Sequence, residues 1–332
     1  MGSCPPLFLP LLNTVKGPST KISLEQHLAR LSPQRDTLVT IGVFDGVHKG
    51  HQFLIETLKQ RAAARNLLSV AVTFECHPEE VLVPSCRLPW LTDTKERIEL
   101  LRGLGVDLVT AIPFDADVAR LAPREFMDLL QKYLLMNGLV IGPDFALGKG
   151  RQGDATALAA LGREMGFTVE SVPPMVLDGR VVSSTEVRQA VASGDARTYY
   201  GLVGRHYAIV GEVIRGAERG RTLGFPTANL TIDPCRAIPA NGVYATWAHF
   251  GSQRYASATN VGVRPTFGNG ERMAEVHVLD YQGDLYGKQM KVELVERLRD
   301  ERRFASVHQL KQQMLRDVEC ARALLQAEVP LK

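Results

Sequence analysis

Residues 42–51 read Gly-Val-Phe-Asp-Gly-Val-His-Lys-Gly-His, and they close an apolar run that begins at Leu38. The run predicts a strand over Leu38–Phe44, and the glycines that follow predict a tight turn into a helix over Lys49–Arg65. Such a turn favours phosphate, because backbone N–H groups and the helix dipole both attract negative charge. His48 and His51 add ring donors there. The stretch therefore predicts an α/β fold with a nucleotide held after its first strand.

The sequence around this turn alternates short apolar runs with helical stretches from Thr37 to about Ser193. Continuous apolar strands separated by helices predict a parallel, Rossmann-like sheet covered on both faces, with ligands at the carboxyl ends of its strands. The further predicted strands are Ser69–Phe74, Val106–Phe114, Leu139–Ile141 and Thr168–Val172, and the further helices are Lys95–Leu104, Pro123–Met136 and Ala155–Met165.

The sequence after Arg205 has a different pattern, in which β-rich runs are separated by Gly and Pro turns. This pattern is typical of a small antiparallel barrel or sandwich. An apolar stripe predicts a final helix over Ser306–Leu325. The predicted strands are Tyr207–Arg215, Gly242–Phe250, Arg254–Val261, Ala274–Tyr281 and Met290–Leu298.

Length and composition agree with two domains. The chain has 332 residues, 45% of them hydrophobic and 23% charged. We expect a loose N-terminal extension over 1–20, an α/β domain over 21–193, a linker over 194–204 and a β-rich domain over 205–328. A net charge of +3 is too balanced to predict nucleic-acid binding. No apolar run approaches the roughly 20 residues of a membrane span.

The cysteines point to a reducing compartment. Five are scattered along the chain without close pairs, so they form neither a zinc pattern nor a disulfide framework. We therefore expect a cytoplasmic protein with no membrane contact and no obligate protein partner.

The two histidines of the turn have a plain interpretation as polar surface near a helix start, and a zinc site lacks further ligands nearby. A second motif favours phosphate chemistry. Residues 182–188 read Val-Ser-Ser-Thr-Glu-Val-Arg, where Ser184 and Thr185 offer hydroxyls at a predicted helix start and Arg188 follows one turn later. These groups suit the leaving β- and γ-phosphates of a nucleotide.

A third motif lies in the second half, where glycines and arginines crowd residues 211–229. The glycines, Gly216 and Gly220 among them, permit close approach of backbone to phosphate, and Arg221 supplies positive charge. Thr227 and Asn229 offer hard oxygens two residues apart, which suit Mg²⁺ held together with ATP phosphates. No Walker lysine motif occurs, so a common P-loop is excluded.

The first motif resembles the H-x-G-H signature of nucleotidylyltransferases, and the whole set resembles the bacterial bifunctional riboflavin kinase/FAD synthetases. The resemblance covers nearly everything from Thr37 to the C-terminal helix. Its landmarks are Gly42–His51, Thr73–Pro78, Gly142–Phe145 with Gly148, Ser183–Arg188, Gly211–Asn229, Asn241–Tyr244, Arg264–Phe267 and Glu275–His277.

The resemblance implies two reactions. Riboflavin and ATP give FMN in the β-rich domain, for which the resemblance implies an antiparallel barrel with a terminal helix. FMN and ATP give FAD and pyrophosphate in the α/β domain. The ligands it implies are riboflavin, FMN, FAD and ATP, with Mg²⁺ as cofactor at Thr227 and Asn229. Glu275 takes the place of the kinase's catalytic base.

The remaining implied roles divide by ligand. The catalytic residues of adenylyl transfer are His48, His51, Ser184, Thr185 and Arg188, and Asp144 and Phe145 hold the flavin. The implied ATP- and phosphate-binding residues are Gly42, Phe44, Asp45, Gly50, Gly216, Gly220 and Arg221.

The chain departs from the usual family pattern at a few positions. Cys76 stands where a proline is common, and Pro143, Ala146 and Leu147 replace bulkier or basic residues around the implied flavin site. We expect altered FMN affinity there and unchanged chemistry. Arg215 replaces a common histidine, which we regard as minor.

Three alternatives remain. Gly148–Gly153 reads G-x-G-x-x-G with Glu170 downstream, which is the fingerprint of an NAD-dependent oxidoreductase. Asp144–Leu147 separates it from the strand, whereas a dinucleotide turn follows its strand immediately. A flavin-binding regulator without chemistry, or a protein with one surviving activity, would show eroded motif residues, and all of them are present.

Overall fold

The computed structural model describes residues 24–83, 88–216, 220, 223–263 and 272–328. The predicted extension over 1–20, the candidate Arg221 and the landmark Arg264–Phe267 lie outside the described residues.

The N-terminal domain is built on a parallel sheet whose central strand is completely buried. Apolar residues on both faces of that strand require a layer of helices on each side. The sheet has five strands in the order β3-β2-β1-β4-β7. They are β1 (Thr37–Ile41), β2 (Leu68–Phe74), β3 (Leu108–Ile112), β4 (Met136–Ile141) and β7 (Thr168–Ser171).

Helices cover both faces of this sheet and make two separate cores with it. One core joins β1 to Phe126, Met127 and Leu130, and the other joins it to Ile55 and Leu58. The helices are α1 (Leu24–Ala29), α2 (Lys49–Ala64), α3 (Pro78–Leu82), α4 (Thr94–Gly103), α5 (Ala116–Arg120), α6 (Pro123–Leu134) and α7 (Ala155–Met165).

Two short hairpins and two helices lead out of the sheet. The hairpins pair β5 (Ala146–Leu147) with β6 (Gly153–Asp154) and β8 (Val176–Leu177) with β9 (Arg180–Val181). Helices α8 (Ser184–Ser193) and α9 (Ala196–Val203) follow, capped by Ser183 and Asp195. The predicted linker over 194–204 therefore contains a helix. Asp195 caps its N-terminus, and the helix buries Tyr199 and Val203.

The second half forms a closed antiparallel barrel in the order β10-β11-β14-β13-β12-β15. Closure leaves no free sheet edge, and the inward side chains make a continuous core. Helix α10 (Val307–Ala327) packs its Ala321 and Leu325 on the barrel. The strands are β10 (Tyr207–Ile214), β11 (Ala228–Thr231), β12 (Gly242–Phe250), β13 (Gln253–Val263), β14 (Arg272–Val278) and β15 (Gln289–Arg299).

The predicted fold class is confirmed. The differences lie at element ends and in short elements that the prediction lacks. β1 ends at Ile41 instead of Phe44, because the chain turns into positive φ at Phe44 (51°). β11 is absent from the prediction because its four residues, Ala-Asn-Leu-Thr, carry almost no apolar alternation. No helix among the described residues is long and apolar enough to cross a membrane.

Candidate active sites

The turn after β1 lies where the strand order of the parallel sheet reverses, between β1 and β4. Crevices at this point are the usual ligand sites of such sheets. The turn has unusual backbone geometry, since Phe44, Gly46 and Val47 have φ of 51°, 78° and 37°. Positive φ is strained for a β-branched residue, and such strain concentrates at functional sites.

Two glycines are required by close contacts at this turn. A Cβ on Gly42 would lie 2.9 Å from the ring of Phe44. A Cβ on Gly50 would lie 3.0 Å from the carbonyl oxygen of Val182 and 3.1 Å from the ring of His48. Gly50 therefore lets the start of α2 approach the segment that leads into α8.

His48 and His51 stack on each other at the start of α2, with ring centroids 3.6 Å apart and planes at 19°. His48 is the N-cap of the helix, and its Nδ1 accepts a hydrogen bond from the backbone N–H of His51 at 3.3 Å. Phe44 packs edge-on against His51 at 5.2 Å. Because Nδ1 of His48 is an acceptor, the neutral ring carries its proton on Nε2.

Both histidines are uncharged at neutral pH. Burial, with the charges of Arg188 and Arg205, lowers the pKa of His48 to about 4. Burial, with His48, Arg188 and Arg97 nearby, holds the pKa of His51 well below its ordinary value. The site therefore offers neutral imidazole donors under ordinary conditions, and it is poorly suited to proton transfer from imidazolium.

Asp45 is a buried hydrogen-bonding centre, only 1% exposed. Its carboxylate accepts from the backbone N–H groups of Leu91 and Thr92 at 3.0 Å and from the Thr92 hydroxyl at 3.1 Å. Arg188 Nη2 donates to the same carboxylate at 2.6 Å. Asp45 thus fixes an arginine beside the two histidines.

The second motif meets the first at the N-terminus of α8. Ser183 caps this helix by accepting from the N–H of Glu186, and the Ser184 hydroxyl donates to the backbone carbonyl of Asp45 at 3.2 Å. Thr185 is exposed in the first turn. Arg188 Nε also donates to the carbonyl of Pro89 at 2.9 Å. The N-termini of α2 and α8 therefore converge on one place.

The sequence interpretation missed Arg97, which is fully buried beside this site. Its Nη2 donates to the carbonyl of Phe74 at the end of β2, and its guanidinium lies 4.7 Å from the ring centroid of Trp90. Burial lowers its pKa. An arginine on an amphipathic helix carries no sign of burial in the sequence. Arg205 was also missed, although it donates to the carbonyl of Gly46 at 2.8 Å.

Asp144 and Phe145 follow β4 and so lie at the same edge of the sheet as the histidine turn. Phe145 packs on the N-terminal core, and the carbonyl of Asp144 accepts from Arg151 at 3.1 Å. The unusual Ala146 and Leu147 form β5, and the Cys76 thiol donates to the carbonyl of Phe114 at 3.2 Å.

The G-x-G-x-x-G fingerprint lies in a hairpin loop. Gly148 follows β5, Lys149–Arg151 forms a single 3₁₀ turn and Gly153 begins β6. Glu170 is engaged by Arg61 at 2.9 Å on the surface. The segment is not the strand-to-helix turn that a dinucleotide needs, so the oxidoreductase alternative is wrong.

A second cleft of about 500 Å³ opens between the barrel and α10. It brings together candidates from the third motif and from β14. Phe225, Thr227 and Asn229 line one side, and Met314 and Val318 of α10 line another. The cleft also contains Gly220 and Glu275.

Close contacts require glycine at two positions of the third motif. A Cβ on Gly216 would lie 2.3 Å from the side chain of Asn229, and one on Gly220 would lie 2.3 Å from the carbonyl of Phe225. Asn229 is 5% exposed and pairs directly with Glu275 across β11 and β14. Glu275 is exposed. A carboxylate and an amide therefore adjoin on one wall.

The far end of the cleft contains a pair that the sequence interpretation missed. Arg299 donates to both carboxylate oxygens of Asp317 in α10, at 2.8–3.0 Å. Its guanidinium lies 5.7 Å from the ring centroid of Phe304. Among the described residues, no group of three or more His, Cys, Asp or Glu side chains could hold a metal ion.

Comparisons with known proteins agree with this division into two sites. A family model described as FAD synthetase matches residues 31–186, and one described as riboflavin kinase matches residues 203–325. A crystal structure described as a macrolide-efflux protein from Streptococcus pneumoniae is similar with a TM-score of 0.81 at 32% identity. The match covers 87% of this chain and 95% of that one.

Relatives named bifunctional riboflavin kinase/FMN adenylyltransferase align along nearly their whole length. The relative from Escherichia coli strain K12 is 39% identical over 298 residues, which is 89% of this chain and 95% of the relative. That from Pseudomonas fluorescens is 39% identical over 306 residues, or 91% and 98%. That from Bacillus subtilis is 33% identical over 301 residues, or 89% and 94%.

Proposed function

The chain belongs to the family of bifunctional riboflavin kinase/FMN adenylyltransferases, and from this premise we propose how its residues divide the two reactions. The enzyme phosphorylates riboflavin to FMN with ATP, and it transfers AMP from ATP to FMN to give FAD and pyrophosphate. We assign adenylyl transfer to a domain over 21–193 and phosphorylation to a domain over 205–328, joined by 194–204. Riboflavin, FMN, FAD and ATP are the ligands, and we place the enzyme in the cytoplasm.

Adenylyl transfer needs alignment and charge stabilisation more than a base. The phosphate of FMN is already an anion, and one of its oxygens attacks the α-phosphorus of ATP while the bond to the β-phosphate breaks. The neutral rings of His48 and His51 donate to the phosphate oxygens as negative charge develops. The low pKa of His48, about 4, supports this role as a neutral donor.

The pyrophosphate leaving group belongs at the start of α8. The Thr185 hydroxyl and the backbone N–H groups at the helix N-terminus, that of Ser184 among them, supply donors, and Arg188 supplies a positive charge held by Asp45. Gly42, Phe44 and Gly50 shape the turn around the nucleotide. Asp45 has its carboxylate filled by protein donors, so we assign it to positioning Arg188 instead of contacting ATP.

FMN for this step is held by Asp144 and Phe145 after β4. Their support is their position, because the carboxyl ends of β1 and β4 flank the crevice at the switch point of the sheet. A phenylalanine ring offers a flat apolar surface for the flavin.

Phosphorylation of riboflavin takes place in the barrel cleft. Glu275 accepts the proton of the ribityl 5′-hydroxyl as that oxygen attacks the γ-phosphate of ATP. Its exposure and its place in the cleft wall support the assignment. Gly216, Gly220 and Arg221 are assigned to the phosphates.

Mg²⁺ fits the same wall of the cleft. The Thr227 hydroxyl and the Asn229 amide oxygen are hard oxygen donors, and Mg²⁺ takes one or two such protein ligands together with phosphates and water. A side chain at residue 216 would collide with the Asn229 amide, so the glycine leaves room for this ligand. When bound, the ion neutralises developing charge on the transferred phosphate.

The observation that carries the proposal is the convergence of the stacked histidines and the Asp45–Arg188 pair at the switch point of the sheet. The test is incubation of purified protein with riboflavin, ATP and Mg²⁺, followed by separation of flavins and assay of pyrophosphate. We expect FMN to appear first and FAD with pyrophosphate to follow. Formation of FMN alone would contradict the assignment of the α/β domain.

A further inference from the structure

A short segment of the barrel domain pairs with the wall of the adenylyl-transfer site. The N–H of Trp90 donates to the carbonyl of Cys235 at 2.8 Å, and the N–H of Ala237 donates to the carbonyl of Trp90 at 2.7 Å. These two bonds form a parallel bridge between Trp90 and Arg236. The loop between β11 and β12 is therefore attached to the segment 89–93 by a short backbone bridge.

The two residues after Trp90 bind Asp45 of the adenylyl-transfer site directly. The N–H groups of Leu91 and Thr92 both donate to Asp45, which in turn holds Arg188. The side chain of Leu91, 1% exposed, packs in a core cluster that α8 and α9 share with the barrel. A Cβ on Gly46 would lie 2.8 Å from Leu91 Cδ1. One residue thus joins the turn after β1 to the cluster shared by α8, α9 and the barrel.

Arg236 adds a charged attachment at the same place. Its guanidinium is 16% exposed and lies 2.9 Å from a carboxylate oxygen of Glu96 and 3.6 Å from one of Asp93. Asp93 is the N-cap of α4, and Glu96 is in its first turn. The same helix carries Arg97, whose guanidinium lies over Trp90. Arg236 therefore fixes both the bridged segment and the helix that follows it.

We propose that Arg236, a residue of the barrel domain, is a positioning residue for adenylyl transfer in the α/β domain. It acts through the segment 89–93. This segment positions the two backbone N–H groups that donate to Asp45, and Asp45 in turn orients the guanidinium of Arg188. This inference rests on the proposed function, because it assumes that Arg188 works on the nucleotide. It makes the barrel domain a structural part of the first domain's active site.

The test compares Arg236→Ala and Arg236→Lys with the unmodified full-length protein. FAD formation from FMN and ATP is measured for kcat and KM, and riboflavin phosphorylation is measured in the same preparations. We expect Arg236→Ala to lower kcat of adenylyl transfer about tenfold, because misplacement by an ångström is costly in an aligned site. KM for FMN and kcat of phosphorylation should stay within about twofold, and Arg236→Lys should recover part of the lost rate, since it restores the charge but not the planar guanidinium that reaches both carboxylates.

The matched control is Arg197→Ala, which breaks an exposed pair between α9 and Glu296 of the barrel and leaves segment 89–93 untouched. It should change neither activity. A folding defect from Arg236→Ala would reduce phosphorylation first, because Arg236 belongs to the barrel domain. Equal loss of both activities would therefore overturn the inference, as would an unchanged kcat of adenylyl transfer. If the unmodified protein formed no FAD, the proposed function itself would fail.

Discussion

The two candidate sites differ in the exposure of the side chains to which we assign the main roles. At the turn after β1, Asp45 is 1% and His48 4% exposed, and protein donors already fill the carboxylate. In the barrel cleft, Glu275 is exposed and lies beside the buried Asn229. The proposed reactions explain the difference. A nucleophile that is already anionic needs fixed donors, which work best when buried, whereas a hydroxyl nucleophile needs a base within hydrogen-bond reach of its proton.

This contrast predicts that each site can be disabled alone, and the largest effect is expected in the cleft. Glu275→Gln keeps the size of the side chain and removes the base, so kcat of riboflavin phosphorylation should fall roughly 10²–10⁴-fold. Adenylylation of supplied FMN should continue at its normal rate. The matched control is Glu296→Gln, at a carboxylate that pairs with Arg197. If Glu275→Gln phosphorylated riboflavin at the normal rate, Glu275 would not be the base.

The converse change is His51→Ala at the buried turn. It removes one neutral donor, and loss of such a donor costs about 2.7–4 kcal/mol of transition-state stabilisation, or roughly 10²–10³ in kcat. FAD formation from FMN should fall by that factor while phosphorylation of riboflavin stays nearly intact. His308→Ala is the control, since that ring lies exposed on α10. Equal loss of both activities in the folded variant would contradict the division of labour.

Because Asp45 is buried, its replacement should lower the free energy of unfolding more than replacement of an exposed carboxylate. Asp45→Ala leaves the Arg188 guanidinium, 17% exposed, without its carboxylate. Removing one partner of a buried pair typically costs about 3 kcal/mol or more. Urea unfolding of the N-terminal domain should show this loss. Asp280→Ala breaks a surface pair with Arg322 and should cost under about 1 kcal/mol. Equal costs for the two variants would show that the burial of Asp45 does not matter.

The sequence predicted the features that depend on the spacing of nearby residues. Runs and motifs predicted the parallel sheet, a second domain built as a barrel or sandwich, both histidines and Arg188. It was uninformative where a residue acts through distant parts of the chain. Arg97 looks like one more polar residue of an amphipathic helix, and Arg236 lies in an unremarkable loop 140 residues from Glu96. Their partners are set by the docking of two domains, which no local pattern records.

The smallest effect concerns pH and again separates the two regions. The folded-state pKa of His48 is about 4, below the ordinary value of 6.5. Between these values the unfolded chain binds a proton that the folded chain does not, so stability rises with pH across this window. Stability from this ring is therefore complete above pH 6.5 and is lost as pH falls towards 4. His48 alone should lower the unfolding free energy of the N-terminal domain by about 2 kcal/mol at pH 5 relative to pH 8.

The control for this prediction is His48→Gln, whose side chain does not titrate. Its unfolding free energy should fall less between pH 8 and pH 5 than that of the unmodified protein, by the share that His48 contributes. The remaining fall belongs partly to His51, whose pKa burial also lowers. Identical pH dependence in the two proteins would mean that His48 is charged or exposed when folded. In that event the neutral donors proposed for adenylyl transfer would lose their physical basis.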